Sequence, residues 1–293
     1  MISVVVATLD RPLHVARCVR SVLAGDVGPG ELIVVDQSDG DGVRRALADI
    51  ADPRVRVVHQ AQRSASLARN RGVELAASEY VAVLDDDAEV GPSWLADIAA
   101  ALLDLGEPDA LFGAIDAPPE AAGRDLAVST HAVAAPVVWP ATAHPARPGF
   151  GGHMVIRRTA FRELGGFDER LGPGSPLFGA EDIDLNYRLL RSGRTVASTP
   201  AVRMVHHQWR DDTALPRLMY GYNLGHSAFC AKHLRQGDLG ALRLVARQAL
   251  DDVRMLASAI RRRSWLRARV AGWRARGTAR GLLEGWRRLG PRP

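Results

Sequence analysis

Over the first ~110 residues, apolar runs of strand length alternate with stretches whose apolar positions return every three or four residues. Ile2 to Ala7, Glu31 to Val35, Val55 to His59 and Tyr80 to Leu84 are the four strand candidates. Between them, Pro12 to Leu23 spaces Leu13, Ala16, Val19 and Leu23 near the helical period, with Pro12 suited to a first turn. Gly42 to Ile50, Ser66 to Ala77 and Ser93 to Leu103 predict three more helices, the last with Ser93 as its N-cap. Strand and helix in this alternation predict a parallel sheet with helices on both faces.

The middle of the chain breaks the rhythm. Residues 116–150 carry Pro118-Pro119, Pro136, Pro140, Pro145 and Pro148, which predicts loops and short strands near a binding surface. Beyond them, Thr159 to Leu164 predicts a short helix before a Gly165-Gly166 turn, and Glu181 to Arg191 a helix stopped at Ser192-Gly193. Thr195 to Ser198 and Ala201 to His206 predict two short strands, and Leu215 to Ile260 is largely helical. No internal repeat is present.

Composition narrows the class. At 293 residues and 47% apolar content the chain can bury a sizeable core, yet no stretch approaches the ~20 apolar residues of a membrane-spanning helix. A basic segment, apolar core and cleavage site are lacking at the N-terminus, so no secretory signal is expected. Cys18 and Cys230 show neither metal spacing nor a disulfide framework, which fits a reducing cytoplasm. The formal charge of +5 is unevenly spread: residues 261–293 hold eleven arginines and one acid, Glu284. Removing them from the totals of 38 basic and 33 acidic residues leaves 27 against 32, so an acidic body carries a basic tail. Lys232 is the one lysine.

Candidate chemistry collects at the strand ends. Asp85-Asp86-Asp87 stands directly behind the run Tyr80 to Leu84. Three adjacent carboxylates repel one another unless a cation or hydrogen-bond donor shares the site, and Mg²⁺ is commonly held by one or two carboxylates plus substrate phosphates. An acidic surface turn is the competing reading. Thr8, Leu9, Asp10 and Arg11 follow the first strand candidate, and Asp36 the second. In a parallel sheet these ends share one edge, where ligands bind, so the set reads as a nucleotide-diphosphate pocket. Asp36 alone would read equally well as a turn or capping residue. The first strand is followed by Thr-Leu-Asp-Arg-Pro rather than Gly-x-Gly-x-x-Gly, and no Gly-x-x-x-x-Gly-Lys-Ser/Thr or Gly-x-Ser-x-Gly occurs.

Several blocks together resemble a known family. Val4-Val5-Val6-Ala7-Thr8-Leu9-Asp10-Arg11-Pro12, Val34-Val35-Asp36-Gln37-Ser38-Asp39, Ala68-Arg69-Asn70-Arg71-Gly72 and Leu84-Asp85-Asp86-Asp87 look like the successive blocks of family 2 glycosyltransferases, with an Asp-x-Asp motif in the last. Gly165-Gly166-Phe167-Asp168-Glu169 and Gly179-Ala180-Glu181-Asp182-Ile183-Asp184-Leu185 resemble that family's later segments. The resemblance covers roughly residues 1–230. It implies a GT-A fold, a mixed and mostly parallel α/β sheet flanked by helices, with a C-terminal helical extension. The domains it implies are 1–213, split at 115/116 into a nucleotide-sugar-binding and an acceptor half, then a helical extension over 214–260 and a basic amphipathic tail over 261–293.

The resemblance further implies inverting transfer of a sugar from a nucleotide-diphosphate donor to a hydroxyl on a glycan, a lipid-linked or a small-molecule acceptor. Thr8, Asp10, Arg11 and Asp36 would surround base and ribose, Arg69 and Asn70 the nucleotide or its diphosphate, and Asp85 and Asp86 the ribose and the metal. Asp87 would be the principal ligand of a divalent ion, Mg²⁺ or Mn²⁺, joined by Asp85 and by a late histidine. Of His206 and His207, adjacent on a strand, at most one can reach the metal, and His206 is the better candidate. A surface histidine pair is the alternative. Asp182 would be the general base with Glu181 beside it, although acids in a first helical turn also serve as caps. Gly151-Gly152-His153 resembles the acceptor block, where His153 either contacts the acceptor or is packed. Leu9 departs from the aromatic usual after the threonine.

The tail repeats Trp265-Leu266, Val270, Trp273, Leu282-Leu283, Trp286 and Leu289 near helical spacing among arginines. Interfacial helices combine a basic face with Trp and Leu on the other, so residues 261–293 are a candidate for docking on an anionic inner membrane leaflet. The alternative is a disordered tail or packing helix, with Gly272, Gly277, Gly281 and Gly285 each weakening helicity by up to ~1 kcal/mol. Two other functions compete with transfer: a sugar-nucleotide nucleotidyltransferase, which usually shows a Gly-rich basic loop where Asp10-Arg11-Pro12 stands, and an inactive nucleotide-sugar-binding module. The acidic body disfavours nucleic acid.

Overall fold

The computed structural model describes residues 1–121, 129–207 and 214–290. Part of the proline-rich stretch, the 213/214 boundary and the end of the basic tail lie outside the described residues. Met1–Phe167 with Leu185–Trp209 forms one compact unit, and Asp168–Asp184 with Arg210–Pro293 forms a second.

The first unit follows the apolar rhythm of the sequence: β1 (Ile2–Thr8), α1 (Pro12–Leu23), β2 (Glu31–Asp36), α2 (Gly42–Ala46), β3 (Val55–His59), α3 (Ala65–Leu75), β4 (Tyr80–Asp85), β5 (Ala88–Val90) and α4 (Trp94–Asp104). Then come β6 (Ala110–Asp116), β7 (Val137–Val138), β8 (His153–Arg157), α5 (Arg158–Glu163), α6 (Glu181–Arg191), whose first turn through Asp184 belongs to the second unit, and β9 (Val196–His206). Among the described residues these strands form one sheet in the order β3-β2-β1-β4-β8-β6-β9-β5, with β7 on β9. The expected parallel pairing joins β3, β2, β1 and β4, and again β6 and β9. Antiparallel β8, β5 and β7 make the sheet mixed.

Alternation along the central strands builds two cores. Val4, Val6, Leu32, Val34, Ala82 and Leu84 point to one face and pack with α1 and α4. Val5, Ile33, Val35, Val81 and Val83 point to the other and pack with α3 and with Leu185, Leu189 and Leu190 of α6. Gly72 belongs to this second layer, where a Cβ would collide with the Val5 side chain. The glycine therefore lets α3 lie close on β1.

The two short strands expected at 195–198 and 201–206 are halves of the single strand β9. Its pairing with β6 jumps from Gly113↔Thr199 to Ala114↔Arg203, so Pro200, Ala201 and Val202 bulge out. Proline cannot donate to the ladder, and a bulge is where a sheet tolerates it.

The second unit holds α7 (Leu215–Arg235), α8 (Gly240–Arg261) and α9 (Trp265–Arg288). The basic C-terminal stretch is thus a helix, started by the Ser264 hydroxyl accepting from the Arg267 amide. Its glycines are a packing ridge. Cβ atoms on Gly277, Gly281 and Gly285 would strike Tyr220, Leu224 and Ala228 of α7, largely at backbone atoms, so their absence lets the two helices touch. Among the described residues no helix is long and apolar enough to cross a membrane.

Candidate active site

Register sets the site. Thr8 of β1 lies beside Asp36 of β2, and Ala7 beside Asp85 of β4. The carboxyl ends of three parallel strands therefore open at one edge, as the sequence implied. Antiparallel β8 begins there too, with His153 paired to Leu84 and the Gly152 carbonyl accepting from the Asp85 amide at 3.0 Å.

Each aspartate of the triplet has its own partner. Asp85 accepts from the Arg69 guanidinium at 2.7 Å. Asp86 accepts from the Thr8 hydroxyl and from Arg11, both at 2.7 Å. Asp87 lies 3.1 Å from His206 Nε2 and 3.8 Å from Arg11. Burial opposes the charge on Asp85, but the positive fields of Arg69, His206 and Arg11 outweigh it and hold its pKa below the ordinary carboxylate value. Burial prevails at Asp86, whose pKa rises to about 6 despite Arg11 and Thr8, with Asp87 and Asp85 adding to the rise. Two adjacent acids are thus shifted in opposite directions.

Asp85, Asp87 and His206 offer ligand atoms that all lie within 4.8 Å of one another. Two carboxylates and an imidazole suit a divalent cation such as Mn²⁺, and the carboxylates suit Mg²⁺. His207 turns instead to Glu89, at 2.7 Å, because successive strand side chains face opposite ways.

The remaining expected residues divide. Asp36 is buried and accepts from the Ser38 amide, while the Ser38 hydroxyl accepts from the Asp10 amide. Asp10 has φ of 54°, a backbone state that aspartate tolerates better than most residues. Asn70 brackets Phe167, donating to its carbonyl at 3.0 Å and accepting from its amide at 2.9 Å. This ties α3 to the Gly165-Gly166-Phe167 turn. His153 is 2% exposed beneath Trp94, whose indole donates to its Nε2 at 3.1 Å. Burial pushes the His153 pKa down to about 4, so the ring is neutral at pH 7. Gly152 makes room for the Asp85 carboxylate, which a Cβ there would overlap.

Glu181 and Asp182 open α6, where acids suit the positive end of the helix. Asp182 accepts from the Ile183 amide at 2.8 Å. The loop before them carries two non-glycine residues in the left-handed region, Phe178 at φ 62° and Ala180 at 68°. That loop is pressed on α7: Cβ atoms on Gly221 and Gly225 would strike Phe178 and the Gly179 backbone. Three strongly placed residues carried no motif. Trp94 locks His153. Lys232, buried, donates to Asp168 at 2.9 Å and to Asp184 at 2.6 Å, and His233 lies 2.9 Å from the same Asp184 oxygen. The sequence signal for Lys232 was compositional: a lysine kept in a chain that otherwise uses arginine.

Comparison with known proteins follows the same lines. The model of glycosyl transferase family 2 matches residues 3–165, and that of the N-terminal domain of galactosyltransferase matches 141–208. A glucosyl-dolichyl phosphate glucuronosyltransferase of Haloferax volcanii is 29% identical over 192 residues, 58% of this chain and 57% of that protein. A putative colanic acid biosynthesis glycosyl transferase, WcaA of Escherichia coli, is 32% identical over 98 residues, 32% of this chain and 35% of its own length. The chain spans only part of the curated relatives it matches. Among solved structures, the mannosyltransferase PcManGT of Pyrobaculum calidifontis, in complex with GDP-Man and Mn²⁺, superposes with a TM-score of 0.65 at 16% identity, over 97% of this chain and 87% of that one. Staphylococcus aureus TarS gives 0.57 at 15% identity, over 95% and 90%. The fold is therefore that of GT-A glycosyltransferases.

Proposed function

The chain belongs to glycosyl transferase family 2, and from that membership we propose that it transfers a sugar, with inversion, from a nucleotide-diphosphate sugar to an acceptor hydroxyl. The observation that carries the reading is the cluster at the open strand edge, where Thr8, Arg11, Arg69, Asp85, Asp86, Asp87 and His206 meet. The relative solved with GDP-Man and Mn²⁺ supports both the donor class and the cation.

In this reading Asp36 and Asp10 take the base and ribose, and Arg11 and Arg69 bring positive charge to a diphosphate. Asp85, Asp87 and His206 would hold the divalent cation. When bound, the cation supplies Lewis-acid stabilisation of the charge that develops on the leaving diphosphate. The acceptor hydroxyl needs its proton removed as it attacks, and a positioned carboxylate contributes typically ~10²–10⁴-fold. We assign that proton to Asp182, with Glu181 orienting the acceptor. Inversion asks for a base on the face opposite the leaving group. The metal-holding acids belong with the diphosphate, so a carboxylate from another segment suits that role.

Thermal shift against UDP-, GDP- and dTDP-sugars, with and without Mg²⁺ or Mn²⁺, tests the donor site, since a ligand that binds the folded state raises its apparent stability. One donor is expected to stabilise the chain in a cation-dependent manner, and Asp87→Ala to abolish the cation dependence. Asp182→Asn should keep that shift and lose about 10²-fold or more in turnover. Undiminished turnover removes Asp182 as the base, and absence of any nucleotide-sugar shift removes the function.

A further inference from the structure

Helix α8 is two-faced in an uncommon way. Ala241, Leu244, Gln248 and Ala259 face inward, where Gln248 donates to Asn223 at 2.8 Å and to Thr278 at 3.0 Å. The outward face is also apolar. Leu239, Leu242, Leu250, Val253, Leu256 and Ile260 are all exposed, Val253 at 63% and Ile260 at 71%. Exposed leucines scattered singly need no explanation, but a contiguous stripe does. With 22 residues the helix carries this stripe over about 33 Å. Trp265, 72% exposed, continues it at the start of α9.

The stripe has a charged border. Arg243, Arg247, Arg254 and Arg261 are exposed; Arg243, Arg254 and Arg261 each follow a stripe position by one residue, about 100° round the helix, and Arg247 lies one turn from Arg243 on the same side. They form one ridge beside the apolar row. From 239 to 290 the chain holds thirteen arginines and three acids. The two acids of α8 are engaged, Asp251 with Arg254 at 3.1 Å and Asp252 with Arg274 and Thr278. The same face of a second copy would therefore bring no acidic row to meet the ridge.

We propose that the outward face of α8, from Leu239 to Trp265, seats on an anionic lipid surface, the apolar stripe entering the acyl boundary and the arginine ridge meeting the phosphates. Basic residues bordering Leu and Trp on one helix face are the pattern of interfacial helices, and exposed cations gain at a negative leaflet. The surface centres one helix earlier than the tail pattern indicated: α9 packs its glycine ridge, Val270 and Ala271 inward and leaves Trp265, Leu266, Leu283 and Trp286 exposed in two separate pairs. Nothing in it depends on sugar transfer, and its test reads lipid alone.

The experiment is flotation of the full chain with vesicles of phosphatidylcholine alone or mixed with phosphatidylglycerol. The wild type should float with the mixed vesicles and not with the zwitterionic ones, and high salt should weaken the association. Leu250→Glu with Val253→Glu, and separately Arg243→Glu with Arg247→Glu, should each lower partitioning about tenfold or more while melting temperature and circular dichroism stay unchanged. Should either pair disturb folding, Trp265 fluorescence decides: the wild-type minus Trp265→Phe emission should shift to the blue with mixed vesicles only. Failure of the wild type to float, equal flotation of the variants, or an unshifted Trp265 overturns the proposal. So does a lipid-free dimer in sedimentation that either pair of substitutions converts to monomer, since the stripe would then be a seam between copies.

Discussion

Gly152 and His153 are neighbours that serve the site in opposite ways. Gly152 contributes an absence: a Cβ there would stand 2.0 Å from Asp85 Oδ2. Asp85 would have to shift while bonded to Arg69, so Gly152→Ala should leave the fold intact, cost about 1–3 kcal/mol by overpacking and weaken Mn²⁺ binding in a calorimetric titration. His153 contributes a buried ring that stays neutral, with its pKa near 4. The unfolded chain takes up that proton near the ordinary value of ~6.5. Between these values the unfolded state holds more protons than the folded one, so stability is fully present above the unfolded pKa and falls as pH drops. From pH 7 to pH 5 this one ring should remove about 2 kcal/mol. Urea melts of the wild type and of His153→Asn at the two values test it: the variant should lose about that much less stability on acidification.

Helices and strands were legible where burial imposes a period. The alternating valines of β1 and the spaced apolar residues of α1 announce themselves because each element meets the core along one face. The strand-end acids were legible for the same reason, since parallel strands put their carboxyl ends together. Contacts between distant segments have no period and stayed hidden: the glycines of α9 read as four helix-weakening residues of one kind, and their surroundings separate them. Gly281 faces the Leu224 carbonyl, with 2.3 Å to a would-be Cβ, whereas a Cβ on Gly272 would meet nothing within 4 Å. The same substitution should therefore have opposite signs. Gly272→Ala gains helix propensity and should stabilise by up to about 1 kcal/mol. Gly281→Ala gains the same propensity but pushes α9 off α7, and should be destabilising on balance by about 1–2 kcal/mol. Paired thermal melts decide; equal shifts would show that the α7–α9 contact carries no stability.

The second unit is assembled from two separated stretches, and its centre is ionic. Asp168 comes from the end of the Gly-Gly-Phe-Asp segment, Asp184 from the first turn of α6, and Lys232 and His233 from α7. All four are buried. Burial alone would raise the Asp168 pKa, but hydrogen bonds from Arg170 and the charge of Lys232 hold it far below the usual carboxylate range. This geometry gives the sole lysine a reason. Arginine at 232 would bring a larger, planar head to a place where one ammonium serves two carboxylates, at 2.9 and 2.6 Å. It also couples the loop that precedes Glu181 and Asp182 to the long helix behind it, whose Gly221 and Gly225 admit that loop. Lys232→Met keeps the apolar stem and removes the charge. Breaking a buried pair from one side typically costs 3–5 kcal/mol, because the remaining acid stays desolvated. Asp168 keeps Arg170 and Asp184 keeps His233, so a loss of about 3 kcal/mol is expected. Lys232→Met with Asp184→Asn relieves the stranded charge and should recover part of that loss, giving a double-mutant coupling of about 1 kcal/mol or more. Strict additivity in urea denaturation would mean that Lys232 and Asp184 do not act as a pair.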